Sequence, residues 1–287
     1  MSISASLIKE LRNKTGAGML DCKKALLETN SNIDDAVAWL RKKGLASAGK
    51  KAGRETSEGV IAINIDGNNA TIIELNSETD FVGKNEKFLN LAKKVVKSAH
   101  DYEGVEVEKF LESGNHDSTP INELIAEHIS IIGENISLKK INKIGVSKGK
   151  IIPYIHNKLA DNIGKIGVVV ALEGDVNDEI EEFGRQLAMH IAASKPMALN
   201  VESLDKDVVE KEKDILRDQA LQSGKPANVV EKMIEGRIRK FLEEIVLLEQ
   251  AFVIDGKTKI NKVIEDLKSK NNCDFNISGY LRYEIGE

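Results

Sequence analysis

Two apolar, β-branched runs, Val60-Ile61-Ala62-Ile63-Asn64-Ile65 and Ala70-Thr71-Ile72-Ile73-Glu74-Leu75, flank Asp66-Gly67-Asn68-Asn69. An Asp-Gly step between such runs is a strong short-range signal for an antiparallel hairpin. The period then changes: from Asn85 onward Phe88, Leu91, Ala92, Val95, Val96 and Ala99 recur at helical spacing. A hairpin that feeds an amphipathic helix requires a sheet with a helix on one face. A second helix over 121–132 and a strand over 136–146 close this unit. The same order returns downstream: a strand over 150–156, a turn over 160–163, a strand over 167–173 and a helix over 178–194 that starts with acidic residues. A short helix over 259–270 and a strand over 277–285 complete the second unit. We read an α+β fold whose core is a duplicated antiparallel-sheet-plus-helix unit; the repeat rests on element order.

The junction between the first hairpin and its helix is the candidate site. Ser77 and Asp80 are spaced as a capping-box variant, which would put Thr79, Asp80 and Phe81 on the first turn of a helix running from Asp80 to His100. A carboxylate and a large ring would then stand at a helix tip. Spacing alone leaves a second reading open: Phe81 lies seven residues before Phe88 and continues the apolar stripe, so it could be core.

Residues 4 to about 45 read as three short helices, the third carrying Ile33, Ala36, Val37 and Leu40 with Ser31 and Asp34 spaced as a capping box. The stretch from Lys42 to Arg54 reads as a basic, mobile linker. Gly16-Ala17-Gly18 followed by Lys23 and Lys24 is no phosphate cradle, because a helix and not a strand precedes it; Gly16 reads as a helix C-cap. Between residues 197 and 249, two charged helical stretches, from Ser203 to Gln222 and from Ala227 to Glu249, joined by Ser223-Gly224-Lys225-Pro226, predict a helical hairpin. We divide the chain into residues 1–54, a three-helix domain and linker; 55–146, the first core subdomain; 147–196 with 250–287, the second; and 197–249, the inserted hairpin.

Chemistry-bearing patterns are sparse. Five histidines, His100, His116, His128, His156 and His190, have no ligand spacing, and Cys22 and Cys273 lie far apart, so no metal, cofactor or disulfide framework is expected. No nucleotide-binding or hydrolase motif appears, and we expect no enzyme. Aromatics at 4% argue against a platform of rings for single-stranded nucleic acid. No run is apolar enough to span a bilayer and the first residues read as helix without a leader, which points to the cytoplasm and to no membrane partner. Residues 1–54 hold eleven Lys/Arg against five Asp/Glu, a net +6 that leaves −11 for the rest. A basic module on an acidic body predicts an acidic partner surface.

Two stretches, Glu74 to Lys84 (E-L-N-S-E-T-D-F-V-G-K) and Leu11 to Leu26 (L-R-N-K-T-G-A-G-M-L-D-C-K-K-A-L), resemble the signatures of the bacterial elongation factor Ts family. The resemblance extends from Ile3 to Gly286 and implies a guanine-nucleotide exchange factor for the GTPase elongation factor Tu. It implies that Thr79, Asp80, Phe81 and Val82 dislodge the partner's Mg²⁺, and that Leu11, Met19, Lys23, Ile132, Gly133 and His156 contact the partner. It further implies self-association through the inserted hairpin, with no direct nucleic-acid contact expected; the three-helix unit itself, with Asn32 to Leu40 (N-I-D-D-A-V-A-W-L) as its third helix, resembles ubiquitin-associated domains. Gly83 stands where Ala or Ser is common in the family, a departure expected to loosen the tip. The competing reading is a ubiquitin-associated-type adaptor that binds RNA or an acidic protein through the basic module, with a passive body.

Overall fold

The computed structural model describes residues 3–114, 119–221 and 227–287. His116 and the turn over Ser223-Gly224-Lys225-Pro226 lie outside them. The first three helices are α1 (Ala5–Thr15), α2 (Met19–Glu28) and α3 (Ile33–Lys51). Gly16, at φ 67°, ends α1 by donating its N–H to the Arg12 carbonyl, a conformation that costs glycine nothing. Leu11, Cys22, Ala25, Leu26 and Ala36 close a small core between the three helices.

Two expectations for this region fail. The cap of α3 is Asn32, whose side chain accepts from the Asp34 and Asp35 N–H groups; Ser31 sits in the left-handed turn before it at φ 66°. The stretch from Lys42 is no mobile linker, because α3 continues to Lys51 and lies along α7 (Ile121–Ile132). Arg41 pairs with Glu123, and Lys51 Nζ donates to the Ile129 carbonyl at 3.5 Å. Gly44 faces α7 at this contact: a Cβ there would lie 3.6 Å from Ser130 Cβ, an ordinary packing distance.

β1 (Glu58–Asp66) and β2 (Asn69–Ser77) form the expected hairpin, with Asp66 opposite Asn69 across a two-residue turn. The helix expected over 80–100 is two helices, α4 (Asp80–Gly83) and α5 (Glu86–Asp101), broken where Asn85 caps α5 by accepting from the Lys87 N–H. The polar stretch beyond holds a further helix, α6 (Val107–Glu112), fixed by one wholly buried ring, Phe110, against Tyr102. After α7, β3 (Ile136–Gly145) pairs antiparallel with β2.

In the second unit, β4 (Gly149–His156) pairs with β6 (Ile166–Gly174), and β7 (Phe275–Glu284) adds to β6. At the end of the expected turn, β5 (Ile163–Gly164) crosses to the first sheet and pairs with β1. The sheet orders are therefore β3-β2-β1-β5 and β4-β6-β7. Leaving β5 aside, each unit is a hairpin, a helix, and a later strand on the second hairpin strand.

The sheets pack face to face with helices outside. Ile61, Ile63 and Ile72 from one sheet meet Ile151, Val169 and Ala171 from the other. The opposite face of the first sheet, through Val60, Ala62, Ile73 and Leu75, lies under α5 and α7; that of the second, through Val168, Val170 and Leu172, lies under α8 (Asp178–Ser194) and α11 (Ile260–Asn271). Strands buried on both faces need apolar residues at every position, which is why they show little alternation. A Cβ on Gly167 would come within 2.5 Å of Ile61 Cγ2, so a glycine lets the two sheets approach here.

Between α8 and α11 the chain forms α9 (Lys206–Leu221) and α10 (Ala227–Ile245). They run antiparallel, with Arg237 bonded to Gln219 and the root packed through Val209, Leu242, Ile245 and the buried Leu204 and Val246. The second helix stops at Ile245, short of Glu249. There the chain pairs with 198–199: Val246 bridges Ala198 and the Leu247 N–H donates to the Ala198 carbonyl. The architecture is α+β with a helical hairpin set into its second half.

Candidate functional site

β2 delivers the chain to a one-turn projection. Ser77 is wholly buried and its hydroxyl donates to the Thr79 carbonyl, while Thr79 and not Ser77 is the N-cap residue of α4. Thr79 therefore precedes the first turn; its N–H and hydroxyl both donate to Glu134, at 2.9 and 2.7 Å. Asp80 and Phe81 follow on α4, and Val82 turns inward to join the core beside Phe88. Phe81 is 79% exposed. The break after Gly83 explains this: Phe81 and Phe88 belong to different helices, so a seven-residue spacing no longer puts them on one face. The core reading of Phe81 is overturned.

The Asp80 carboxylate accepts from Lys84 Nζ at 2.9 Å. That hydrogen bond, helped by the charges of Lys84 and Lys165 and opposed by slight desolvation, holds the carboxyl below its ordinary range, so the tip carries a negative charge at neutral pH. Gly83 seats α4 on β1: a Cβ there would lie 3.3 Å from the Gly59 carbonyl oxygen and 3.8 Å from Lys165 Nζ. A glycine at this point allows close packing against β1.

The other expected contact residues come from separate elements. His156 is exposed at the end of β4, its ring 3.1 Å from the Tyr154 hydroxyl, and its carbonyl accepts from the Lys165 N–H. Ile132 and the exposed Gly133 end α7, one residue before Glu134. On the N-terminal helices, Met19 is 61% exposed and Lys23 is exposed on the same helix. Lys87, at the start of α5, donates to the Gly16 carbonyl at 3.3 Å and links this loop to the segment that follows the tip. Leu11 is the correction: it is wholly buried among the three helices and supports that surface from inside. A helix has only one apolar stripe, and here it faces the unit's own core.

Sequence reasoning missed Glu134, Lys84 and Lys165 as partners of the tip; Leu20, an apolar neighbour of Met19, is 82% exposed beside it. Lys84, four residues after Asp80, was findable from helical spacing. Glu134 and Lys165 come from distant segments and carry no local signal. Among the described residues no group of three or more His, Cys, Asp or Glu is placed to hold a metal ion, and no helix is long and apolar enough to cross a membrane. What the arrangement offers is an exposed ring and an ionised carboxylate on a short, braced projection.

The family model described as "Elongation factor TS" matches residues 78–287. The chain is 47% identical over 290 residues to a protein of Bartonella bacilliformis named "Elongation factor Ts", covering 100% of this chain and 94% of that one. Proteins of the same name from Mesorhizobium japonicum, 46% identical over 288 residues, and Rhodospirillum centenum, 45% identical over 291, are covered to 94% and 93% of their lengths. With the family model matched from the tip to the last residue and these relatives aligned along nearly the whole chain, this chain belongs to the elongation factor Ts family.

Proposed function

We propose that the chain is a guanine-nucleotide exchange factor that promotes GDP release from elongation factor Tu during translation elongation. The observation that carries this reading is the exposed Phe81, set beside the ionised Asp80 on a braced one-turn helix. An exposed aromatic contributes nothing to its own core and a great deal to a partner's pocket.

A P-loop GTPase holds its nucleotide through backbone donors, a lysine and a Mg²⁺ bridging the phosphates. Fast release requires loosening these charge-assisted contacts. Phe81 enters an apolar slot beside the partner's switch region and displaces the elements that position the ion's water shell. Asp80 brings a competing negative charge and hydrogen-bond acceptors. Thr79 and Val82 hold the tip in register. Met19 and Lys23, with Leu20, grip the GTPase from one side, and Ile132, Gly133 and His156 supply contacts near the tip. The factor itself makes and breaks no covalent bond and needs no cofactor.

The finer architecture belongs to the same reading. Residues 1–54 form a unit like ubiquitin-associated domains, residues 55–146 and 147–196 with 250–287 are duplicated core subdomains, and residues 197–249 are an arm. The matching strand orders support duplication. The exposed Ile215 and Val229 on the arm support its use in self-association. The cytoplasm, where translation elongation takes place in a bacterium, is the site of action. The adaptor reading gains no support, since the family model covers the body that it treats as passive.

The test is release of a fluorescent GDP from elongation factor Tu with and without the chain. Acceleration by catalytic amounts supports the proposal, and an unchanged rate rejects it. Linkage adds a second requirement: if the factor weakens GDP binding, saturating GDP must weaken factor binding equally and split the complex.

A further inference from the structure

We propose that Glu134 is a positioning residue for the exchange tip, fixing Asp80 and Phe81 through Thr79; this deepens the exchange reading and rests on it. The argument starts from the weakness of α4. Four residues are too few for a self-supporting helix, and the Thr79 side chain makes no cap hydrogen bond of its own to the turn. A wedge on such a base would fray or pivot unless something outside the helix held its entry.

That brace comes from 55 residues away. The Glu134 carboxylate takes both donors of Thr79, the backbone N–H on Oε2 at 2.9 Å and the hydroxyl on Oε1 at 2.7 Å. Two bonds to one carboxylate fix direction as well as distance. The neighbouring pair reciprocates: the Asn135 N–H donates to Glu78 Oε1 at 2.5 Å. Two successive residues of the tip's entry are thus stapled to two successive residues of the α7–β3 turn.

The turn is itself held. Gly133, at φ 95°, ends α7 in the left-handed region and redirects the chain into Glu134. The Asn135 side chain is 5% exposed and donates to the Arg54 carbonyl at 2.8 Å and the Ala52 carbonyl at 3.4 Å. Glu134 therefore projects from a point tied to the exit of the N-terminal helices, and the clamp sets the tip relative to the surface bearing Met19. Positioning at this precision decides how often a bound complex reaches its reactive geometry. Loosening it should lower the maximal rate of stimulated release and leave the concentration for half-maximal effect largely unchanged, because the ring and the other contact surfaces remain.

The experiment measures stimulated GDP release against factor concentration for the full chain and for Glu134→Ala, Glu134→Gln, Thr79→Val and the double variant Glu134→Ala/Thr79→Val. Glu134→Ala is expected to lower the maximal rate roughly tenfold and shift half-saturation by less than about twofold. Glu134→Gln keeps an acceptor for the N–H and a donor for the hydroxyl oxygen, so it should recover most of the rate. Thr79→Val should add little in the Glu134→Ala background, the non-additivity of one shared interaction. A wild-type maximal rate in Glu134→Ala overturns the proposal, as does a loss confined to half-saturation, or a Glu134→Gln variant as slow as Glu134→Ala.

Hydrogen exchange on the chain alone separates this inference from the exchange reading. Glu134→Ala should speed exchange at the Thr79 amide at least about tenfold while core strands keep their protection. If wild type fails to stimulate release, the exchange reading falls and the Thr79 amide alone judges the clamp; unchanged protection there overturns it.

Discussion

The two halves of the core share a hairpin, a helix and a returning strand, yet they join hairpin to helix differently. In the second half, residues 175–177 carry the chain from β6 into α8: Asp175 pairs with Lys148, Val176 packs on the core, and Asn177 caps the helix by accepting from the Ile180 N–H. In the first half the same passage takes residues 78–85 and includes α4. The short joint half-buries its apolar residue against the core; the long one presents Phe81 to solvent and buries Val82 instead. A connection needs only the short form to close the fold, so the added turn is free to serve something outside it.

The largest expected effect tests that division between core and tip. Phe88→Ala should cost about 3–5 kcal/mol in urea unfolding, the usual range for a buried ring, whereas Phe81→Ala should lie within about 0.5 kcal/mol of wild type. Equal losses at the two positions would erase the distinction. In the release assay the order reverses. Phe81→Ala should slow stimulated GDP release by at least about tenfold, the scale of an interface anchor. Asp80→Asn, which keeps the shape and removes the charge, should cost only a few fold.

A further contrast lies in two histidines, His190 buried and His128 half-buried. Burial lowers the pKa of both His128 in α7 and His190 in α8. A histidine with a depressed folded-state pKa binds fewer protons than the unfolded chain, so stability falls as pH drops below the unfolded value of about 6.5. His128 has one bond, from Nδ1 to the Leu124 carbonyl, which protonation leaves in place. His190 uses both nitrogens, Nε2 toward Gln250 and Nδ1 as acceptor from the Val253 N–H, so a second proton must break the latter. Thermal midpoints between about pH 7 and pH 5 should therefore flatten more in His190→Gln than in His128→Gln. The reverse order would show that the bond to Val253 is not what resists protonation.

The smallest effect is expected at Gly83. Alanine gains up to about 1 kcal/mol of helix propensity but meets the Gly59 carbonyl oxygen at 3.3 Å, so stability should move by less than about 1 kcal/mol and release should stay near wild type. A larger loss of release would mean that the seat of α4 on β1 tolerates no added atom.

Much of this was legible beforehand. The hairpin turn, the limits of α7 and α8, and the C-cap at Gly16 follow from local rules in which each residue's neighbours in sequence are also its partners. The failures share a cause. The continuation of α3 through Gly44 depends on α7, the ordering of α6 on the packing of Phe110 against Tyr102, and the crossing of β5 on a strand far earlier in the chain. At the site, Thr79, Asp80 and Phe81 were readable as a motif, whereas Glu134 and Lys165 were not.

The order of strands and helices, the residues able to cover a sheet, and the signature around Asp80 and Phe81 follow from the amino-acid sequence alone, because periodicity and turn chemistry act over a few residues. Whether Phe81 lies inside or outside, whether Leu11 faces a partner or its own helices, and what braces Thr79 were decided only in three dimensions. Burial and hydrogen bonding are settled by segments that meet after folding, and one broken turn at Asn85 suffices to send a ring to the surface that the helical stripe alone would bury.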